Sequence, residues 1–395
     1  MMLQSLAPVA QMDRALASGA KGQRFESPRA HQNYYEYPNM NIQIGQDITI
    51  AIAALQHGNL IGFPTETVYG LGADATNGAA VKAVFAAKGR PVDHPLIVHI
   101  AEITSIADWA IDVPEAAYLL AKAFWPGPLT LVLKKQPWVS DGITGGQNTV
   151  ALRMPNHPMA MALLKAFARA GGKGIVGPSA NRYQRISPTC ADAVAEELGG
   201  QLAYILDGGH CSVGIESTIV AFSDAKAIKN TQIHILRQGA LLPSTIAALH
   251  PTQSEPTAPD FFIRAPGSCS VHYAPQKPVY VASLDKIIRA LKDADFSTQK
   301  NAVLAFSDAD CSANFSNWQI LPRDPALYQQ QLYARLRAFD QSDANVLWIE
   351  SVPLTEPWAA IQDRLQRASS VDLLCPSKRL KKDRAGFNSL ERAVG

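Results

Sequence analysis

Two hydrophobic periods alternate along most of this chain, and that alternation restricts it to an α/β fold. Ile48–Leu55 carries apolar residues at helical spacing, and Leu60–Phe63 is a short apolar run with the length of a buried strand. The spacing predicts further helices over Ala79–Lys88, Ala116–Phe124 and Met159–Ala170. Strands are expected at Pro95–Ile100, Leu129–Leu133, Thr149–Arg153, Gly174–Val176, Tyr204–Leu206, Thr218–Phe222 and Ile233–Leu236. Residues 40–249 are therefore expected to form a helix-covered, mixed sheet. Residues 250–278 carry six prolines with Ser and Thr between them, a linker composition. From residue 279 the pattern is β-then-α again. Strands are expected at Val279–Ala282, Ala302–Phe306 and Val346–Ile349, and helices at Leu284–Ala294, Leu327–Phe339 and Trp358–Arg367. This reads as a smaller Rossmann-like second domain over residues 279–395, ending in a basic tail. It has no G-x-G-x-x-G, so no dinucleotide site is expected there.

Residues 1–39 have no sustained period and no apolar h-region of a signal peptide. Val9–Gln32 resembles the peptide obtained when a tRNA gene is translated by mistake. Met40 is accordingly the expected start, and residues 1–39 are expected to be a disordered leader. A net charge of +2 does not mark a chain built to coat nucleic acid. The five cysteines form no C-x-x-C pair, so neither a zinc site nor a disulfide framework is read, and a reducing cytoplasm fits. No apolar run approaches the roughly 18–20 residues of a membrane span.

The chemistry is concentrated in Pro64–Gly72, P-T-E-T-V-Y-G-L-G, at the exit of the Leu60–Phe63 strand. Polar side chains crowded at the mouth of a buried strand usually line a site. A Gly-rich turn with Thr residues capping backbone is the plainer alternative. Four later segments repeat the arrangement: Gly177–Asn181, Ser187–Thr189, Asp207–Gly209 and Gly214–Thr218. No G-x-x-x-x-G-K-[ST] occurs, so phosphates would be held by scattered basic and hydroxyl residues.

Lys88 falls seven residues after Val81 and so shares the core-facing side of its helix. It is either aimed inward at a ligand or engaged with helix-end carbonyls. Arg90 adds a guanidinium that can fork two phosphate oxygens. Period two places Thr149, Ala151 and Arg153 on one strand face, as an anion contact or as a surface Arg. Arg237 completes the basic set. His94 and His99 flank Pro95–Val98, and a lone strand histidine is more often structural than catalytic. No Ser-His-Asp order or paired carboxylates favour covalent hydrolysis.

In this order, P-T-E-T-V-Y-G-L-G, K-G-R-P-V-D-H-P-L-I-V-H, A-L-R-M-P, P-S-A-N and G-I-E-S-T-I-V resemble the YrdC domain of threonylcarbamoyl-AMP synthases. Ala265–Pro275 and Glu350–Ala368 resemble the long, two-domain form of that family. The resemblance implies a YrdC-like domain with a twisted mixed sheet. It also implies a nucleotidyltransfer from L-threonine, bicarbonate and ATP, with Mg2+, to threonylcarbamoyl-AMP and pyrophosphate. The product would pass to a tRNA threonylcarbamoyl-transferase complex, with a weak tRNA contact of its own. By resemblance Thr67, His99, Arg153, Ser179 and Ser217 hold threonine or its carbamate. Lys88, Arg90, His94, Thr149, Asn181, Thr189, Arg237 and Tyr273 hold ATP, with Lys88 and Arg90 the catalytic pair.

Two positions depart from the family pattern. His94 stands where relatives often carry Asn, and Gly267-Ser268-Cys269 replaces more usual basic and Met-bearing residues. The linker Ala265–Pro275 is expected to cross the site's mouth, bending at Gly267 and reaching the nucleotide through Tyr273. The rival reading is a YrdC-type RNA-binding module without synthase activity.

Overall fold

The computed structural model describes residues 42–223, 231–249, 263–267, 272–292, 300–306 and 317–369. The expected leader, much of the proline-rich linker (Ser268 and Cys269 included) and the basic tail lie outside the described residues.

Local chemistry sets the helix ends. Asp47 accepts from the Thr49 amide at 2.8 Å and starts the helix Ile48–Gln56. Asn77 caps the amides of Ala79 and Ala80, starting Gly78–Lys88, and Gly89 closes that helix at φ 62°. Because Val81, Val84, Phe85 and Lys88 share its buried face, the last residue of the helix enters the interior.

The large sheet draws its strands from residues 44–237. In chain order they are β1 (Ile44–Gly45), β2 (Ile61–Phe63), β3 (Gly70–Asp74), β4 (Ile97–His99) and β5 (Leu129–Lys134). Then come β6 (Thr149–Arg153), β7 (Ile175–Val176), β8 (Tyr204–Leu206), β9 (Thr218–Phe222) and β10 (Ile233–Arg237). Among the described residues these ten lie in the order β1-β8-β2-β3-β7-β4-β6-β5-β9-β10. Parallel pairs such as β4/β6 alternate with antiparallel ones such as β2/β3 and β5/β6, so the sheet is mixed. A second sheet holds β11 (Val279–Ala282), β12 (Asn301–Ala305), β13 (Trp318–Ile320) and β14 (Val346–Glu350) in the order β11-β14-β12-β13. Its pairings are all parallel, as a Rossmann-like unit requires. No described helix is long and apolar enough to cross a membrane.

Sequence periodicity missed β3. Its Gly-Leu-Gly reads as a turn, yet it pairs antiparallel to β2 with Phe63 opposite Gly70 and Ile61 opposite Gly72. A Cβ on Gly70 would lie 2.5 Å from the Phe63 ring, and one on Gly72 2.9 Å from Ile61. The glycines are thus the floor on which two large side chains rest. Gly70→Ala is expected to destabilise the fold by about 1–3 kcal/mol through overpacking. Urea unfolding tests this, and a loss under about 0.5 kcal/mol would mean that the ring yields freely. The helix Ala191–Leu198 and strand β13 are also absent from the sequence pattern.

The two sheets belong to one compact unit with a shared core. Val68, Ile186 and Ile215 of the first region pack in one cluster with Tyr328, Leu332, Tyr333, Leu336 and Ile361 of the second.

Candidate active site

Backbone hydrogen bonds stitch the motif segments to one another. The Leu71 amide donates to Pro178 O at 2.7 Å, and the Ala180 amide to Tyr69 O at 2.9 Å. Tyr69 N donates to Pro188 O, joining the Ser-Pro-Thr segment. Val213 N and Gly214 N donate to Glu66 O and Thr67 O, joining the segment that ends in Glu216-Ser217-Thr218. Within the first motif the Thr65 hydroxyl sits 2.9 Å from that of Thr67 and donates to Val68 O at 2.6 Å. The capped-turn reading of this motif is therefore realised, and Val68 of the same segment lines the cavity described below.

Onto this frame the charged groups converge. The Lys88 ammonium donates to the carbonyls of Ser179 and Asn181, so it grips the Pro-Ser-Ala-Asn turn and not its own helix end. Burial and then neighbouring Arg90 push its pKa well below the ordinary lysine value. Arg90 Nη2 donates to Pro95 O at 2.9 Å. Arg153 is no surface residue: it is buried and paired at 2.7 Å with the equally buried Glu66. In register beside it on β4 is His99, edge-on to Phe63. A Cβ at Gly177 would come within 2.7 Å of His99 Nδ1. Ser217 Oγ is held by Thr130 at 2.8 Å and by Arg237 Nη2 at 3.0 Å.

The described parts of the linker lie over this cluster. Ala265 and Ile263 pack on Ile97, Ala151 and Ile219 of the sheet. Gln147 and Arg264 exchange two hydrogen bonds at 2.8 and 3.1 Å, and Arg237 Nη1 donates to Pro266 O at 3.1 Å. Gly267 takes φ 87°, the sharp bend its sequence position called for, and a Cβ there would meet the Tyr273 hydroxyl at 2.6 Å. Tyr273 is buried with its ring stacked on Tyr333, 5.8 Å between centroids.

A cavity of about 50 Å³ lies between linker and sheet. Of the residues expected at a site, Arg90, Arg153, Ser179, Arg237 and Tyr273 line it, together with His272 and Glu216. Lys88, His99 and Ser217 lie behind, bonded to or packed against that lining, while Thr67 is adjacent in sequence to the lining residue Val68 and Asn181 is held by Lys88. His94, Thr149 and Thr189 do not line it. His94 packs edge-on against Tyr183, Thr149 opens β6 opposite Lys134, and Thr189 O accepts from Cys211 N.

Residue patterns alone did not single out Glu66, Glu216 and His272. The two glutamates lie inside the motifs, and each becomes notable only once a buried arginine is found on it. Glu216 is buried and accepts from Arg364 at 2.8 Å, Ser187 at 2.7 Å and Tyr333 at 3.0 Å. Although burial alone would raise its pKa, Arg364 and Arg237 bring it down to about 2. The buried Nδ1 atoms of His99 and His272 and the Tyr273 hydroxyl have no hydrogen-bond partner among the described residues.

Burial lowers His99 and His272 each to about 3, so both rings are neutral in the folded chain near pH 7. On unfolding each would take up a proton below its ordinary value near 6.5. Their contribution to stability is thus present above about pH 6.5 and is lost as pH falls toward 3. With two protons taken up on unfolding, their expected slope between pH 6 and 4 is about 2.7 kcal/mol per pH unit. Denaturant titrations at stepped pH measure it, with the His99→Gln/His272→Gln variant as the reference whose slope should be shallower by that amount.

The geometry has counterparts among known proteins. The domain family described as "Telomere recombination" matches residues 53–239, and the "Threonylcarbamoyl-AMP synthase, C-terminal domain" matches 228–370. The threonylcarbamoyl-AMP synthase of Bacillus subtilis (strain 168) is 37% identical over 330 residues, covering 82% of this chain and 92% of that protein. That of Pyrococcus abyssi is 37% identical over 342 residues, covering 83% and 95%. The crystal structure of P. abyssi Sua5 complexed with L-threonine superposes with a TM-score of 0.71 at 36% identity, covering 83% of this chain and 97% of that one. With sequence and fold similar across both sheets, this chain belongs to the threonylcarbamoyl-AMP synthase family, in its two-domain form.

Proposed function

We propose that this chain is a threonylcarbamoyl-AMP synthase that joins L-threonine, bicarbonate and ATP, with residues 40–249 as the catalytic domain, 250–278 as a strap and 279–395 as its anchor. The observation that carries this reading is the convergence of Arg90, Arg153 and Arg237 on one cavity with Ser179 beside them and Ser217 bonded to Arg237. Threonine's amine attacks bicarbonate-derived CO2 to give a carbamate. A carbamate oxygen then attacks the α-phosphorus, forming a P–O bond as the bond to the β-phosphate oxygen breaks and pyrophosphate leaves. Such a transfer needs alignment and neutralised charge more than a protein nucleophile.

Arg153, freed from Glu66 or shared with it, is the partner for the threonine carboxylate, with Thr67, His99, Ser179 and Ser217 around the amino acid. Lys88, Arg90 and Arg237 face the phosphates, and His94, Thr149, Asn181, Thr189 and Tyr273 the rest of ATP. Mg2+ enters with ATP as substrate, carried on its phosphates. Among the described residues no group of three or more His, Cys, Asp or Glu could hold a metal, and the Glu216 oxygens are engaged by Arg364, Tyr333 and Ser187.

The cavity, about 50 Å³, is smaller than the roughly 300–1,000 Å³ of a small-molecule pocket, and on this reading the strap opens to admit ATP. Once closed again, the strap keeps water from the adenylate. The product would be consumed in the cytoplasm by a tRNA threonylcarbamoyl-transferase complex, with tRNA itself contacted weakly.

Pyrophosphate release from ATP should require both L-threonine and bicarbonate. Preference over serine should be modest, since one methyl group is worth roughly 1–3 kcal/mol. Equal turnover with alanine, or with no amino acid, would overturn the assignment, and RNA affinity with no ATP turnover would favour the RNA-binding alternative.

A further inference from the structure

The second domain reaches the lining of the cavity through buried side chains, Arg364 and Tyr333 among them. Arg364, on the helix Ala359–Ala368, is 1% exposed. Its Nε donates to Glu216 at 2.8 Å, and Glu216 directly precedes Ser217. Its Nη2 donates to Gln238 O at 3.0 Å, and Gln238 directly follows Arg237. Its guanidinium carbon lies 4.8 Å from the centre of the Tyr273 ring, whose other neighbours include Tyr333. Tyr333, from the helix Pro325–Gln341, also donates to Glu216. One planar cation thus touches the β9 entrance, the β10 exit and the strap at once. A lysine in its place would keep the charge but not the three directions of contact.

We propose that Arg364, with Glu216 as its counter-ion, is a positioning residue of the synthase: it fixes Arg237 and Tyr273 relative to one another, so that the second domain sets the affinity for ATP. The proposal rests on the reading above, in which Arg237 and Tyr273 contact the nucleotide. Threonine is affected less, because Ser217 keeps its bond to Thr130 and Arg153 its pairing with Glu66, neither of which involves Arg364.

The test is Arg364→Lys in the full-length chain. Melting temperature, the KM for ATP and the Kd for L-threonine are measured, the last by calorimetry without ATP. The expected result is a folded protein with the KM for ATP raised at least tenfold and the Kd for threonine within twofold. If the lysine variant melts far below the wild type, Glu216→Gln/Arg364→Met takes its place. That pair removes both members of the buried ion pair, leaves Asp363 paired with Arg367, and still lacks the contacts to Gln238 and Tyr273. A folded variant of either kind with unchanged KM for ATP overturns the proposal, and so does equal weakening of both substrates, which would make Arg364 ordinary interdomain packing. Arg237→Ala run in parallel separates the two readings. Unchanged ATP affinity there overturns the nucleotide site itself, whereas a loss there without one in the Arg364 variants overturns only the positioning role.

Discussion

Replacing Lys88 with alanine is expected to lower pyrophosphate release by at least ~100-fold, the scale of losing one preorganised electrostatic group at a phosphate-transfer site. Two effects combine. The variant loses a cation beside Arg90, and it frees the carbonyls of Ser179 and Asn181 that the ammonium ties together. The turn carrying Ser179 into the cavity then loses its side-chain anchor to the Gly78–Lys88 helix. Arg90→Ala should give a loss of similar size through the lost charge and the lost bond to Pro95 O, while the turn stays tied to Lys88. Stopped pyrophosphate assays at saturating threonine and bicarbonate decide the matter. Near wild-type turnover in both variants would return these two residues to a purely architectural role.

Arg153→Ala should damage both folding and threonine binding. Removing the guanidinium leaves Glu66 as an unpaired carboxylate in a site where it is 3% exposed. Breaking a buried pair from one side typically costs about 3–5 kcal/mol. Urea unfolding should register that loss, and calorimetry should find no threonine binding. The double variant Glu66→Gln/Arg153→Ala separates the effects, since it removes both charges. Its stability should recover by most of that amount while threonine binding stays absent. Recovery of binding in the double variant would mean that Arg153 serves only to neutralise Glu66.

Much of this could be read from residue order, and the limits have identifiable causes. The strands Thr149–Arg153, Tyr204–Leu206 and Thr218–Phe222 appear at the expected residues because each is a bounded apolar run in a sheet buried on both faces. β3 escaped detection because its glycines are there to accept Phe63 and Ile61 from the neighbouring strand, and that demand comes from the partner. The inward aim of Lys88 followed from helical period, yet its partners, two carbonyls some ninety residues later, have no local signature. Arg153 could be assigned to a strand face, but whether that face met solvent or a covering strap depended on where Ala265 and Ile263 pack.

The sequence by itself determined the two α/β units, the motif segments and the family they belong to, since periodicity and short motifs are properties of neighbours along the chain. Only the tertiary structure decided which charges meet: Arg153 with Glu66, Arg364 with Glu216, and Arg237 with the strap carbonyl of Pro266. The reason is physical. A buried ion pair is set by burial and by groups brought together over distances of up to 148 positions, as in the Arg364–Glu216 bond, and no local preference of either residue encodes its partner.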